Sequence, residues 1–251
     1  MKVAVAGGTG VLGKLLVAEL AARGDEVLAL SRTARGELPE GAAHRRVDLS
    51  SGAGLAEALA GVEVVVDAAN TAPNQGKALV AMTQRLLDVA AEAGVRHFLE
   101  ISIVGCDRVP MPYYKAKVEQ EEATAASEVP WSLLRATQFH DLLGWAFDSA
   151  ARWHLLPTGN ARLQPVDVRI VARRLAEAAH AEPAGRLPDI AGPEVHTLTE
   201  LARTWRRADD RRLLPLRIPM VGRIGRPVGA GALCEPPAAA GGSTFEQWLA
   251  G

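Results

Sequence analysis

The chain has 251 residues, 48% hydrophobic and 23% charged, with a formal net charge of -1. That balance suits a globular protein with one sizeable core, or a core and a smaller lobe, and it excludes a partner held mainly by charge, such as nucleic acid or an anionic membrane. The two cysteines, Cys106 and Cys234, form no CxxC pair or disulfide framework, which fits a reduced cytoplasmic setting; there is no secretory h-region in "MKVAVAGG", no uncharged apolar run of about 18 residues, and no metal-ligand spacing.

The N-terminal half alternates. "KVAVA" (2–6) is a short apolar run ending in glycines and predicts a buried strand. Residues 11–22 carry Val11, Leu12, Leu15, Leu16, Leu20 and Ala21 at helical spacing, stopped by Gly24. "EVLAL" (26–30) and "RRVDL" (45–49) predict the second and third strands, "LAEALA" (55–60) a short helix and "VEVVVDAA" (62–69) a fourth strand. A long helix follows over 76–93, then a strand at 95–101, a helix over 113–126 and a strand at 130–136. Strands apolar on both faces, in strict turn with helices, predict an α/β fold with a doubly wound parallel sheet. Residues 1–155 are expected to form this core, and 156–251 a substrate-side region rather than an independent domain. No internal repeat of fixed period occurs.

The loop "GGTGVLG" (7–13) follows the first strand and opens the first helix, the context that a dinucleotide-binding loop requires. Gly7 permits a tight turn, Gly10 lets the backbone approach a pyrophosphate, and Gly13 allows close packing of helix on strand. The helix N-terminus adds free N–H groups and a positive dipole end.

The spacing GxxGxxG resembles the short-chain dehydrogenase/reductase superfamily, and the form "GGTGVLG" is most similar to its atypical NmrA-like and extended branches. "RRVDLS", "MTQRLLDVAAEAGV", "FLEISIVG" and "WSLLRATQF" carry the resemblance through about residue 170. Thr83 matches the threonine of the family's GTxxLLxAAxxAGV helix, with Met82 in place of its glycine. Arg135-Ala136 stands where many relatives have arginine-proline, and Ile103 where a second serine is common. The resemblance implies that Asp48, with Leu49, contacts the adenine. It further implies that the loop residues Thr9, Val11 and Leu12 and the strand-end residues Ala68 and Ala69 line the cofactor.

After the second strand the chain reads Ser31-Arg32-Thr33, with Arg35 close behind and no carboxylate at the strand end. An acid there would hold the ribose 2′-hydroxyl of NAD, whereas an arginine accommodates the 2′-phosphate of NADP. Arg32 can pair with a phosphate and Ser31 can add a hydrogen bond. NADP(H) is therefore expected ahead of NAD(H).

"MPYYKAKVEQEE" holds both tyrosines of the chain and two of its five lysines. Tyr113 and Lys117 are four apart, on one face of a helix, and fit the superfamily's YxxxK. A lysine ammonium beside a phenol favours the ionised phenol, so that the pair can serve as a proton donor near neutral pH. The same ammonium can bind the nicotinamide ribose. Ser102, ending the fifth strand, is expected to hold a substrate carbonyl oxygen. Tyr114, three residues before Lys117, is the alternative acid.

Gln138, Phe139 and His140 follow the sixth strand, where the resemblance places the substrate wall; a polar pair beside aromatics suits an apolar pocket with a few orienting hydrogen bonds. The segment 162–179 predicts a strand and a helix opened by Asp167, and 187–205 a strand, a turn and a helix started near Thr197 or Thr199. Between Arg203 and Arg226 lie eight arginines, opposed only by Asp209 and Asp210, which reads as a solvated face. Phe245, Trp248 and Leu249 predict a short amphipathic tail.

Together these features predict an NADPH-dependent reductase of a small carbonyl or quinone-like organic compound. The alternatives are an NADP(H)-binding regulator without turnover, a nucleotide-sugar epimerase or dehydratase, and a scaffold that keeps the fold alone. Ile103 and Val104 stand where dehydratases carry acids, and YxxxK is commonly lost in the regulators. The oligomeric state is not legible.

Overall fold

The computed structural model describes residues 1–34, 36–72, 74–207, 212–235 and 242–251. Arg35, Asp209, Asp210 and the start of the loop before the tail lie outside the described residues. The chain forms two compact units that interleave in sequence rather than meeting at one cut: Met1–Ser102, Pro112–Leu134 and Val171–Pro188 make the first, and Ile103–Met111, Arg135–Ile170 and Asp189–Gly251 the second.

The first unit is built on a seven-stranded parallel sheet. Its strands are β1 (Lys2–Ala6), β2 (Glu26–Ser31), β3 (Ala42–Arg46), β4 (Val64–Asp67), β5 (His97–Ile103), β6 (Trp131–Ala136) and β9 (Gly185–Arg186). They lie in the order β3-β2-β1-β4-β5-β6-β9, so the chain crosses over beside β1, between β1 and β4. Ligands of open α/β sheets bind at the C-terminal strand ends at such a switch point. The helices are α1 (Val11–Ala22), α2 (Leu55–Leu59), α3 (Gly76–Glu92), α4 (Pro112–Ala125) and, from Val171 onward, α6 (Val168–Ala179).

Apolar periodicity explains these elements. Leu12, Leu16 and Leu20 of α1 are buried at i, i+4, i+8, and Leu79, Thr83, Leu86 and Ala90 of α3 at i, i+4, i+7, i+11. Both helices stop at a glycine in the left-handed region, Gly24 and Gly94, whose N–H groups bond back to Ala21 and Ala91. Ala4, Leu28, Val65, Leu86 and Phe98 lie in the core. Burying a Val, Leu or Phe side chain contributes about 1.5–3 kcal/mol.

β3 sits upstream of the expected 45–49. Val47 N still bonds Ser31 O, but Asp48 then caps a turn through Ser50 and bridges antiparallel to Ala53, which ends the ladder.

The second unit contains α5 (His140–Ala151), β7 (Leu155–Thr158), β8 (Arg162–Leu163), β10 (His196–Thr197), α7 (Leu198–Arg206), β11 (Leu214–Arg217), α8 (Gly222–Gly229) and α9 (Phe245–Ala250). β7 pairs parallel with β11, and β8 antiparallel with β10. Thr197 and Glu200 form a reciprocal capping box at the start of α7. Phe147, Trp205, Phe245 and Trp248 pack ring to ring. Among the described residues no helix is long and apolar enough to cross a membrane.

Candidate functional site

The site begins where β1 leaves the sheet. Gly7 takes φ +72°, and a Cβ there would stand 2.7 Å from Ala68 O and 2.8 Å from Ala69 Cα. A Cβ on Gly13 would lie 2.1 Å from Gly7 O. Side chains at either position would therefore force the loop off the end of β4 or off its own helix. Gly10 differs. Its backbone is extended (φ −78°), and the only atom near a Cβ there is Gly7 O at 3.2 Å. The face beyond Gly10 is open on the protein's side, a cradle that a side chain would fill. Gly10 is also the N-cap of α1, where no side chain caps the helix and no acid occupies the first turn. The first N–H groups of a helix lack intrahelical acceptors and carry the positive dipole end. This donor set fits a pyrophosphate. Of the neighbours expected to join it, Thr9 is half-buried, Val11 is exposed, and Leu12 is buried and can offer only its backbone.

At the end of β2, the Ser31 hydroxyl donates to Thr33 O at 2.8 Å and lies 2.9 Å from His44 Nε2. Arg32 is exposed. The Asp48 carboxyl is held below the ordinary carboxylate range, chiefly by hydrogen bonds from Ser50 Oγ and N, with a contribution from the Arg32 charge. Leu49 is buried and its carbonyl accepts from Arg85 at 2.6 Å. After β4, Ala69 N donates to the buried Asp67 carboxylate at 3.0 Å. Loop, Arg32, Asp48 and the Ala68–Ala69 segment all belong to the first unit.

The pair predicted on α4 separates into a half-buried phenol and a buried ammonium. Tyr113 donates its hydroxyl proton to Asn70 Oδ1 at 3.0 Å, and its ring centroid lies 6.0 Å from that of Tyr114. Lys117 donates to Ile101 O at 2.9 Å and has its Nζ 3.8 Å from Glu100 Oε1. Lys115, by contrast, is exposed beside Glu119. Helical phase thus decides which lysine faces the sheet. Ala116 is small because α3 crosses there: a Cβ on Gly76 would lie 2.8 Å from Ala116 Cβ. Ser102 is buried at the end of β5, one residue beyond the carbonyl that Lys117 holds.

Three residues of this region escaped the sequence reading. Asn70 gives no signal beyond a polar residue after an apolar strand. Asp67 and Glu100 do carry one: each is an acid inside an otherwise apolar strand, in "VVVD" and "FLEIS". Both are almost fully buried. Burial raises the carboxyl of Asp67 above its ordinary range, against hydrogen bonds from Thr83 and Ala69. Burial likewise pushes Glu100 up to about 7, opposed by Lys117 and by a hydrogen bond from Thr124.

The three residues expected to line a substrate belong to the second unit and are taken up by its own packing. Gln138 donates to Leu233 O and accepts from Gln164 N, each at 3.1 Å. Phe139 is half-buried, caps α5 and bridges Val166. His140 is wholly buried, 3.0 Å from Ser243 O, with Phe245 and Trp248 against its ring. Burial lowers its readiness to take a proton. In place of a polar group facing a ligand, His140 is a core residue, because α9 docks over it. Among the described residues no cluster of His, Cys, Asp and Glu could hold a metal ion.

Comparison with curated proteins found no sequence match. Among solved structures, the chain is similar to a nucleoside-diphosphate-sugar epimerase from Staphylococcus aureus, at 16% identity, a TM-score of 0.80 and coverage of 99% of both chains. It is equally similar to an NADPH-dependent quinone oxidoreductase from Escherichia coli, crystallised with NADPH, at 18% identity, a TM-score of 0.80 and coverage of 99% and 98%. The enzyme WbmH of Bordetella bronchiseptica, in complex with NAD+, follows at 16% identity, a TM-score of 0.79 and coverage of 99% and 96%. These likenesses establish a shared Rossmann-like α/β fold. A family model described as NAD(P)H-binding matches residues 7–184, the span that holds the glycine cradle, Arg32, Tyr113 and Lys117; the chain belongs to this NAD(P)H-binding family.

Proposed function

We propose that the protein is an NADPH-dependent reductase of a small, apolar or aromatic carbonyl or quinone-like compound. One observation carries the reading. The segment 68–70 joins the two halves of the site: Ala68 and Ala69 press on Gly7 of the cradle, and Asn70, the next residue, accepts the Tyr113 hydroxyl. A proton donor is thus anchored beside the loop that would hold the dinucleotide.

Gly7, Gly10 and Gly13 and the N-terminus of α1 would hold the pyrophosphate, Asp48 and Leu49 the adenine side, and Arg32 with Ser31 the 2′-phosphate. NADPH, when bound, supplies the hydride. Tyr113 would supply the proton to the substrate oxygen, exchanging its hydrogen bond to Asn70 for one to that oxygen. Ser102 at the end of β5 would fix the same oxygen, and the Lys117 ammonium would support ionisation of the phenol.

The test is Tyr113→Phe, assayed with NADPH against a panel of aromatic aldehydes, ketones and quinones. NADPH affinity should survive and turnover should fall by about 10²–10⁴, the usual worth of a positioned acid. Tyr114→Phe should change little. Full activity in Tyr113→Phe would overturn the assigned acid. NADPH binding with no turnover across the panel would favour the regulator reading instead, and activity confined to nucleotide sugars would favour an epimerase.

A further inference from the structure

Behind Tyr113 and Lys117 the first unit buries a polar network that the proposed reduction does not use. Thr83 Oγ1 donates to Asp67 Oδ2 at 2.8 Å, and Gln120 Nε2 donates to that same hydroxyl. Glu100 Oε2 accepts from Thr124 Oγ1. Its other oxygen, Oε1, is buried and has no hydrogen-bond donor; the charged group facing it is the Lys117 ammonium, 3.8 Å away. Glu100 is 1% exposed and Lys117 5%.

A buried ammonium without a counter-charge tends to give up its proton, because a low-dielectric interior penalises the charged form. A buried carboxylate needs a cation for the same reason. Lys117 has one neutral acceptor, Ile101 O, and Glu100 has one neutral donor, Thr124. Glu100 therefore depends on Lys117 for its counter-charge, and Lys117 is paired with Glu100 at 3.8 Å; the other acid that feels the Lys117 charge, Asp67, has its carboxyl raised by burial. Asp67, from β4, and Glu121, also on α4, face the same region and both disfavour ionisation of Glu100; the Lys117 charge opposes them, aided by the Thr124 hydrogen bond.

We propose that Glu100 is the positioning residue of Lys117: it keeps the ammonium charged and seated on the Ile101 carbonyl, at the strand end where Ser102 lies. The role rests on the reading of Tyr113 and Lys117 as the reducing pair. It explains why an acid interrupts β5 one residue before the carbonyl that Lys117 holds, at a position whose neighbours Phe98 and Leu99 are core. It also joins the carboxyl, raised by burial, to the chemistry through its pairing with Lys117.

The experiment is Glu100→Gln, read in two ways. The first readout needs neither cofactor nor turnover. Only five lysines are present, so lysine labelled with ¹³C at Cε gives five signals, and Lys117→Arg identifies the one of interest. The pH at which the Lys117 signal moves should fall by about one unit or more in Glu100→Gln relative to wild type, the usual effect of removing an opposite charge at this range. If Glu100→Gln does not fold, Lys117→Gln supplies the reciprocal test. Coupling is mutual, so the Glu100 carboxyl, followed by its ¹³C signal, should then titrate higher than in the wild type. The second readout is the pH profile of turnover. In Glu100→Gln the profile should shift, and Glu100→Asp, which keeps the charge, should restore part of it.

An unmoved lysine titration in folded Glu100→Gln, or an unmoved carboxyl in Lys117→Gln, overturns the role. A moved lysine with an unmoved pH profile also overturns it, leaving a structural ion pair. Absence of wild-type turnover across the panel sinks the reductase reading, whereas loss of Glu100's role with turnover intact sinks this proposal alone.

Discussion

Gly10→Ala places one methyl on the open face of the cradle, and the structure separates its effect on folding from its effect on binding. Gly10 is extended, so alanine meets no backbone strain, and its Cβ would have one neighbour, Gly7 O, at 3.2 Å. That requires a shift of a few tenths of an ångström. Adding the loss of a favourable N-cap residue, folding should weaken by about 0.5–1 kcal/mol. A pyrophosphate drawn onto the α1 N-terminus would meet the same methyl. Overpacking of one methylene costs about 1–3 kcal/mol, which lowers affinity about 5- to 150-fold. Gly13→Ala is the control. Its Cβ would lie 2.1 Å from Gly7 O and 2.8 Å from Gly8 Cα, both backbone, so the loop itself must move. A cost of about 3 kcal/mol should lower Tm by about 6–12 °C in a chain of this size. Fluorescence titration with NADPH and thermal unfolding read the two quantities. Gly10→Ala should keep its Tm within a few degrees and lose NADPH affinity, while Gly13→Ala should lose both. Wild-type NADPH affinity in a folded Gly10→Ala would refute the cradle as the pyrophosphate site, and an unchanged Tm in Gly13→Ala would refute the close approach itself.

Three further outcomes follow from particular contacts. Arg32→Ala should weaken NADPH binding about tenfold or more and leave NADH binding nearly unchanged, since a hydrogen bond to a charged group contributes about 1.5–3 kcal/mol; equal loss for both, by calorimetric titration, would show that Arg32 does not meet a 2′-phosphate. Thr197→Ala removes the cap of α7 and should cost about 0.5–2 kcal/mol in denaturant unfolding, with NADPH affinity unchanged. Asp167 feels burial, which raises its carboxyl, but hydrogen bonds from Arg169 and Ser243 outweigh it and hold the group at about 2 against an ordinary 3.8. A depressed carboxyl stabilises the folded state above its unfolded value and loses that contribution as pH falls through the folded one. Asp167→Asn should therefore lower Tm clearly at pH 7 and little at pH 2; an equal drop at both would assign its role to shape rather than charge.

The parallel architecture was readable because a strand covered on both faces must be apolar along its whole length. "KVAVA" and "VEVVVDAA" satisfy that requirement from local composition alone, and β1 spans the predicted residues. Gly7, Gly10 and Gly13 were likewise legible, since their demands arise within one strand-turn-helix. The spacing of Tyr113 and Lys117 told that they share a helical face, because the helical period is fixed by the backbone. Tertiary structure decided the rest. Which face of α4 turns inward depends on the sheet, and with it the burial of Lys117 rather than Lys115. Glu100 and Asp67 passed unremarked within apolar strands, because their partners, a lysine 17 residues away and a threonine 16 away, meet them only in the fold. β7 finds its neighbour in β11, about 60 residues on, and α8 forms from "GRIGRPVG" despite three glycines and a proline, with Val228 buried. His140 followed "LLRATQF" in the sequence like a ligand-facing group, yet the C-terminal α9 covers it. Local pattern settles where a chain must be apolar or must lack a side chain; which polar groups meet in the interior depends on contacts between distant segments, whose loop-closure cost only the assembled core repays.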